Sequence, residues 1–246
     1  MSLDDPDPPA IRERLAGYSV SLVADALKDH GSDRLVMRGI VRRAGTAPLA
    51  GRARTLRFVP ARADFEVPAG NRRMRLIDDL RPGEVLVFDA SCNPASAAFG
   101  DMVAARAVAA GAAGVVIDGA LRDVDAIASL GLAAYSSHIA PAPNRAPSIA
   151  LDADAPIQCG GVLVLPGDWI VADGDGVIVI PAALAATVIE RSDALTRKEE
   201  FCRKLIERGH TLAEAFPMPA RLAAHFETYL ATGRLPTADE VRGPGR

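Results

Sequence analysis

The chain has 246 residues, of which 49% are hydrophobic and 24% charged, with a net charge of −3. That length suits one sizeable α/β domain with extensions, and the balance is that of a soluble globular protein. The slight acidity and the 4% aromatic content exclude a global basic field for a nucleic-acid backbone and stacking platforms for single strands.

The N-terminus, MSLDDPDPPAIRERL, is acidic and Pro-rich and has no apolar leader core. No run approaches the roughly 20 apolar residues that span a bilayer. A cytoplasmic location with no membrane partner is expected. Cys92, Cys159 and Cys202 lie far apart, which fits neither a disulfide framework nor a zinc knuckle.

Residues 1–10 read as a loose arm and 11–30 as a helix ending at Asp29-His30-Gly31. VMRGIV and GRARTLRFV, between Val36 and Pro60, alternate as strands. Residues 61–80 read as a loop and a short helix. Pro82-Gly83 is a turn signal leading into the strand EVLVFD, and 90–99 (ASCNPASAAF) read as a loop. Residues 124–131 read as a short helix ending at Gly131. SIAL, GVLVL, DWIVA and GVIVIP are strands, with a hairpin over 163–180 around Asp173-Gly174-Asp175-Gly176. A long helix follows Pro181 to about Gly209. The resulting division is a flexible arm (1–17), one domain (18–210) and a helical tail (211–246). RPGEVLVFDA (81–90) and LPGDWIVADG (165–174) echo each other, which reads as one turn-into-strand solution used twice.

The informative stretch is GDMVAARAVAAGAAGVVIDGALRD, residues 100–123. Asp101 to Ala110 is alanine-rich helix, Gly111 a stop, and Ala113 to Asp118 a buried strand, with Gly119 opening a loop. Ten helical residues run about 15 Å out. A strand of five or six runs roughly 16–20 Å back. Asp101 and the pair Arg122-Asp123 should therefore meet at the carboxyl edge of the sheet, where α/β folds place ligands. There the N–H groups of Met102 and Val103 can hold an anion, and Arg122 offers a fork for a carboxylate. Asp123 and Asp101 offer hard oxygens for Mg²⁺ or Mn²⁺. Together these groups suit a 2-oxo acid. Spacing alone leaves an equal alternative, a helix cap beside a surface ion pair.

Asp101, twenty residues, then Arg122-Asp123 resembles the pattern of the class II pyruvate aldolases that include 4-hydroxy-4-methyl-2-oxoglutarate aldolase, within the RraA-like superfamily. GAAGVVIDGALRD, CGGVLVLPGDWIVADGDGVIVIP, SLVADAL, GRARTLRF and RPGEVLVFDA extend the likeness over roughly 18–210. The resemblance implies an α/β fold, a layered α/β/β/α sandwich of the phosphohistidine-swivelling type, assembled as a trimer or hexamer with active sites at subunit interfaces. It implies that Arg122 binds the substrate carboxylate and that Asp123 holds Mg²⁺ or Mn²⁺. Gly100, Asp101, Met102 and Val103 would line the substrate through their backbone, and Asp101 would order water or assist proton transfer. A C-terminal acid, Glu199 or Glu200, would reach a neighbouring subunit. The implied activity is retro-aldol cleavage of a 4-hydroxy-2-oxo acid to pyruvate, with oxaloacetate decarboxylation alongside. The superfamily also implies an alternative, a ring that binds a ribonuclease or helicase.

The tail and the insert around 61–75 depart from the minimal pattern. Arg57, Arg62 and Asp64 fall where a distal substrate group could be read, although a surface ion-pair network is the favoured reading. The remaining motifs are weak. Gly111 and Gly114 follow a helix, the wrong order for a methyltransferase loop. Residues 172–176 lack the ligands of a calcium loop, and His30, His138, His210 and His225 lack zinc spacing. His138 is expected at the surface. Lys28, Lys198 and Lys204 stand away from the motif, which disfavours a Schiff base.

Overall fold

The computed structural model describes residues 9–65, 70–142 and 148–242. It divides into two compact units, Met1–Ile189 and Glu190–Arg246.

In the first unit, α1 (Pro9–Ala16) and α2 (Val20–Ala26) stand where one helix was expected. Gly17 separates them, and the Ser19 side chain accepts from Leu22 N to start α2 afresh. Residues 1–8 of the expected arm lie outside the described residues, while Leu15 of α1 is fully buried. After β1 (Val41–Ala44) and β2 (Leu49–Pro60) come α3 (Arg72–Asp78), β3 (Val85–Phe99), α4 (Asp101–Ala109) and β4 (Gly114–Leu121). Then follow α5 (Val124–Ser129), β5 (Ala133–Ile139), β6 (Ser148–Ala153), β7 (Ile157–Cys159), β8 (Val162–Val164), β9 (Trp169–Ala172) and β10 (Val177–Ile180). Helix α6 (Ala185–Glu207) starts after a short 3-10 turn that follows Pro181, and the division between the two units falls inside it.

Three expectations are corrected here. Residues 90–99 are not a loop but the far half of β3, paired irregularly with β4. Asp89 faces Asp118 and Phe99 faces Leu121, so the longer β3 side must bulge, and Ser91 takes a left-handed φ of 56°. Strand β4 runs past Gly119 to Leu121, because Ala120 and Leu121 pair with β5, a strand the sequence reading left unassigned. The hairpin is shorter than expected, β9 with β10 only, while β8 pairs with β7.

The main sheet runs β1-β5-β4-β3-β2-β9-β10, with β6 also on β2. Strands β2 to β5 are parallel neighbours. Strand β2 switches partners along its length, pairing β9 through Leu49–Arg52 and β3 through Ala53–Arg57. The sheet therefore curls into two layers.

Alternation along the strands assigns the layers. Leu86, Phe88, Val115 and Ile117 pack with Leu76, Ile77, Ala104, Ala107 and Ile127 of α3, α4 and α5. Their strand neighbours Val85, Val87 and Val116 face the other way, onto Ile157, Val162, Ile170, Val177 and Val179. Trp169, Val171, Ile178 and Ile180 complete the period by packing on Leu15, Val20, Val23 and Val188. The order is helix, sheet, sheet, helix, the layered α/β/β/α sandwich.

In the second unit, Phe201, Cys202 and Leu205 of α6 pack with Ala215 of α7 (Leu212–Ala215), Leu222, and Val241 of α9 (Ala238–Arg242). Phe226 and Tyr229 of α8 (Ala223–Thr232) stack near Phe201, each at a centroid distance of 5.4 Å.

Two glycines test the packing. A Cβ on Gly51 of β2 would stand 2.1 Å from the Gly83 carbonyl oxygen, whereas one on Gly174 meets nothing within 4 Å. Gly51→Ala should destabilise by about 2 kcal/mol through forced backbone displacement. Gly174→Ala should lie within about 0.5 kcal/mol of wild type in the same urea titration.

Candidate active site

Strands β3 and β4 end side by side, and the Arg122 N–H donates to the Phe99 carbonyl at 3.0 Å, one step beyond the Phe99–Leu121 pair. Gly100 then turns one chain into α4 while Arg122-Asp123 turns the other towards α5. The out-and-back path therefore closes, and Asp101 meets Arg122-Asp123 at the carboxyl edge of the sheet. The Asp101 N–H donates to Asp123 Oδ2 at 3.3 Å, and Arg122 Nε lies 3.1 Å from the same oxygen.

Gly100 is what allows this approach. Its φ of −152° is ordinary for any residue. A Cβ there would stand 2.8 Å from Asp123 Oδ2 and 3.0 Å from Arg122 Nε. The charged pair packs on a bare Cα. Asp123 adopts φ 59° and ψ 40°, a left-handed conformation that aspartate tolerates better than most residues. The Ile127 N–H donates to its carbonyl at 2.9 Å, so the same residue starts α5.

Gly100, Asp101, Met102, Val103 and Arg122 line one cavity of about 200 Å³, together with Arg73 and Ala97–Phe99. This is below the roughly 300 Å³ at which pockets for drug-sized ligands begin, and suits a small organic acid. The helix start is more occupied than expected. The Met102 N–H donates to Asp101 Oδ1 at 2.7 Å, and the Asp101 N–H is taken by Asp123. Of the first-turn donors, Val103 N–H remains to meet an anion.

Arg73 is the lining residue that sequence reasoning missed. It sits in the first turn of α3, whose N-cap Asn71 accepts from Met74 N. Its Nη1 donates to the Ala98 carbonyl at 3.0 Å. Burial lowers its pKa from the ordinary guanidinium value, and no carboxylate offsets the effect. Only its position beside β3 marks it, and no local pattern around it does.

Among the described residues, no three His, Cys, Asp or Glu side chains gather as a metal cage. Both contacts made by the Asp123 carboxylate fall on Oδ2, leaving Oδ1 for a cation. One or two carboxylates at an open edge fit Mg²⁺ or Mn²⁺, which keep several waters and take substrate oxygens.

The other candidates lie elsewhere. Arg57 pairs with Asp152, and Arg62 with Asp64. None of these lines the cavity, so the favoured ion-pair reading holds. His138, half-buried on β5, makes a 3.0 Å contact from Nδ1 to Ser137 Oγ. Glu200 contacts Lys204 Nζ at 2.8 Å and accepts from the Tyr229 hydroxyl at 3.2 Å, all within the second unit.

A helix N-terminus, an Arg-Asp pair and a small cavity thus meet at one edge of a layered α/β/β/α sandwich. A family model described as RraA-like (Aldolase/RraA) matches residues 20–179, and the chain belongs to that family. A Halalkalibacterium halodurans protein named "Putative 4-hydroxy-4-methyl-2-oxoglutarate aldolase" is 36% identical over 149 residues, 60% of this chain and 70% of its own. A Xanthomonas campestris pv. campestris protein of the same name is 42% identical over 121 residues, 48% and 72% of the two chains. Among solved structures, Streptomyces coelicolor RraAS2, described as an unusual member of the RNase ES inhibitor RraA protein family, has a TM-score of 0.74 at 30% identity. It covers 81% of this chain and 98% of its own. An uncharacterized protein from Pseudomonas syringae pv. tomato reaches a TM-score of 0.75 at 26% identity, covering 85% and 98%. No helix among the described residues is long and apolar enough to cross a membrane.

The left-handed backbone at Asp123 separates two substitutions. Asp123→Ala should cost about 1 kcal/mol of stability, since alanine tolerates this φ poorly. Asp123→Asn should cost less than half of that in the same denaturation experiment, because asparagine tolerates the conformation.

Proposed function

We propose that this protein is a lyase that cleaves a 4-hydroxy-2-oxo acid to pyruvate with the help of a divalent cation, and that oxaloacetate decarboxylation is a second reaction of the same site. The observation that carries the reading is one small cavity lined by Arg122 and the start of α4, with Asp123 held against Arg122 beside it. The names of the two aldolase-like relatives support it.

In this reading, Arg122 and the Val103 N–H hold the substrate carboxylate. Asp123, with Asp101 through water, would hold Mg²⁺ or Mn²⁺. When bound, the ion supplies a Lewis acid beside the keto oxygen. Asp101 takes the proton of the C4 hydroxyl through an ordered water. The C3–C4 bond then breaks. The electron pair of the O–H bond forms the new carbonyl at C4, and the pair of the C3–C4 bond passes into an enolate of pyruvate. The Arg122 guanidinium faces the oxygen on which that charge develops, which is where a fixed cation is worth most. The proton returns from water to C3 and pyruvate leaves. Oxaloacetate reaches the same enolate by losing CO₂ from C3.

A second reading, a regulator that binds a ribonuclease-type partner, draws on the description of the Streptomyces relative. It requires no cavity and no Arg-Asp pair, so the chemistry is preferred.

The test is pyruvate release, coupled to lactate dehydrogenase, from oxaloacetate and a panel of 4-hydroxy-2-oxo acids. Release should require Mg²⁺ or Mn²⁺ and stop with EDTA. Arg122→Ala should lower kcat/KM by about 100-fold or more. No release from any compound by folded, metal-loaded protein would reject the lyase reading. Gly100→Ala offers a finer check, because its new methyl would meet only side-chain atoms, those of Arg122 and Asp123, and no backbone. It should lower kcat/KM by about tenfold or more while the melting temperature stays unchanged, since misplacement of about 1 Å suffices.

A further inference from the structure

Two guanidinium groups line the cavity, and the reaction as drawn uses one. Arg122 is tied to β3 through its backbone, by the bond to the Phe99 carbonyl. Arg73 is tied to the preceding residue through its side chain, by the bond from Nη1 to the Ala98 carbonyl at 3.0 Å. Arg122 reaches the cavity from the end of β4 and Arg73 from the first turn of α3, so separate elements supply the two guanidiniums. Arg122 has an acidic neighbour in Asp123 at 3.1 Å. Arg73 has none: its one hydrogen bond among the described residues is to a neutral carbonyl, and burial depresses its pKa with no carboxylate in opposition. A part-buried cation that faces a cavity without a counter-charge is poised for an anion. One N–H of its fork is spent on Ala98, and the rest of the planar group remains for a two-point contact with a carboxylate. The arginines expected to read a distal group are engaged elsewhere, Arg57 by Asp152 and Arg62 by Asp64.

We propose that Arg73 is a specificity-determining residue that binds a second carboxylate, at the end of the substrate away from the 2-oxo acid group held by Arg122. Arg73 then discriminates between substrates that carry this second carboxylate and those that lack it. This rests on the 2-oxo acid reading above and narrows it.

The test measures binding without turnover. 2-Oxoglutarate and 2-oxopentanoate have the same chain length and differ in a carboxylate against a methyl group at C5. Neither has the C4 hydroxyl that cleavage requires. Calorimetric titration in the presence of Mg²⁺ should show 2-oxoglutarate binding at least about tenfold tighter, the worth of one charge-assisted contact. Arg73→Gln keeps an N–H for the Ala98 carbonyl but no charge. It should weaken 2-oxoglutarate by about tenfold and leave 2-oxopentanoate within about twofold. Arg122→Ala should weaken both. Arg73→Lys, which restores the charge without the fork, should recover part of the preference.

Equal weakening of both compounds by Arg73→Gln would overturn the proposal, because Arg73 would then serve only to hold the end of β3. Equal affinity of the wild-type protein for the two compounds would overturn it as well, while leaving the 2-oxo acid reading intact. Failure of the wild-type protein to bind either compound would remove the 2-oxo acid reading and the proposal together.

Discussion

The register of β3 against β4 is the constraint from which the site follows. Phe99 faces Leu121, and the next step along β4 places the Arg122 N–H on the Phe99 carbonyl at 3.0 Å. Because the strands are parallel, both chains leave the sheet at the same edge, one into α4 and the other into α5. A slip of one residue would turn each side chain of β4 to the opposite face. It would turn Asp118 towards α3 and α4 and carry Arg122 away from Gly100. The apolar alternation that fills the two cores on either side of β4 thus also fixes where the charges stand. Val115 and Ile117 serve one core and Val116 the other.

The groups at that edge do little for stability. The Arg122–Asp123 pair has both side chains 36% exposed, a setting in which ion pairs contribute little. The left-handed backbone of Asp123 is unfavourable, and a bare glycine is required beside it. Such features persist because the cores over-determine the backbone around them. Phe99, part of the cavity wall, lies edge-on to the fully buried Phe88 at 6.1 Å. The polar face of the site rests on an apolar back that cannot shift without opening a void.

The parts that were legible in the sequence are those where local chemistry and tertiary placement agree. Alanine propensity, the Gly111 stop and a valine-rich run made α4 and β4 readable, and the equal lengths of the outward and return paths made Asp101 and Arg122-Asp123 readable as neighbours. The failures have physical causes. Residues 90–99 are small and polar, with weak strand propensity, and they extend only because β4 is there to pair with them. The expected helix over 11–30 is cut by Gly17 and restarted by the Ser19 cap, short-range signals hidden inside a periodic pattern. Arg73 left no trace at all. Its relevance comes from α3 lying against the end of β3, and nothing near Asn71-Arg72-Arg73 encodes that contact.

The two Pro-Gly-acid turns show how far local reading can go. In each, the glycine adopts a left-handed φ, 89° at Gly83 and 86° at Gly167. In each, the acid accepts from the backbone N–H three residues earlier, Arg81 to Glu84 at 2.8 Å and Leu165 to Asp168 at 2.9 Å. The strands they launch nonetheless differ. Strand β3 is flanked by parallel neighbours, and β9 by antiparallel ones. The turn is a local device, indifferent to the topology it feeds. The binding edge is the reverse case. Its parts come from three separated stretches, around Arg73, Gly100 and Arg122, and none of them has the same meaning outside this stack of layers. Only where parallel strands bring such stretches to a common edge can a cation without a partner in sequence acquire one in a ligand.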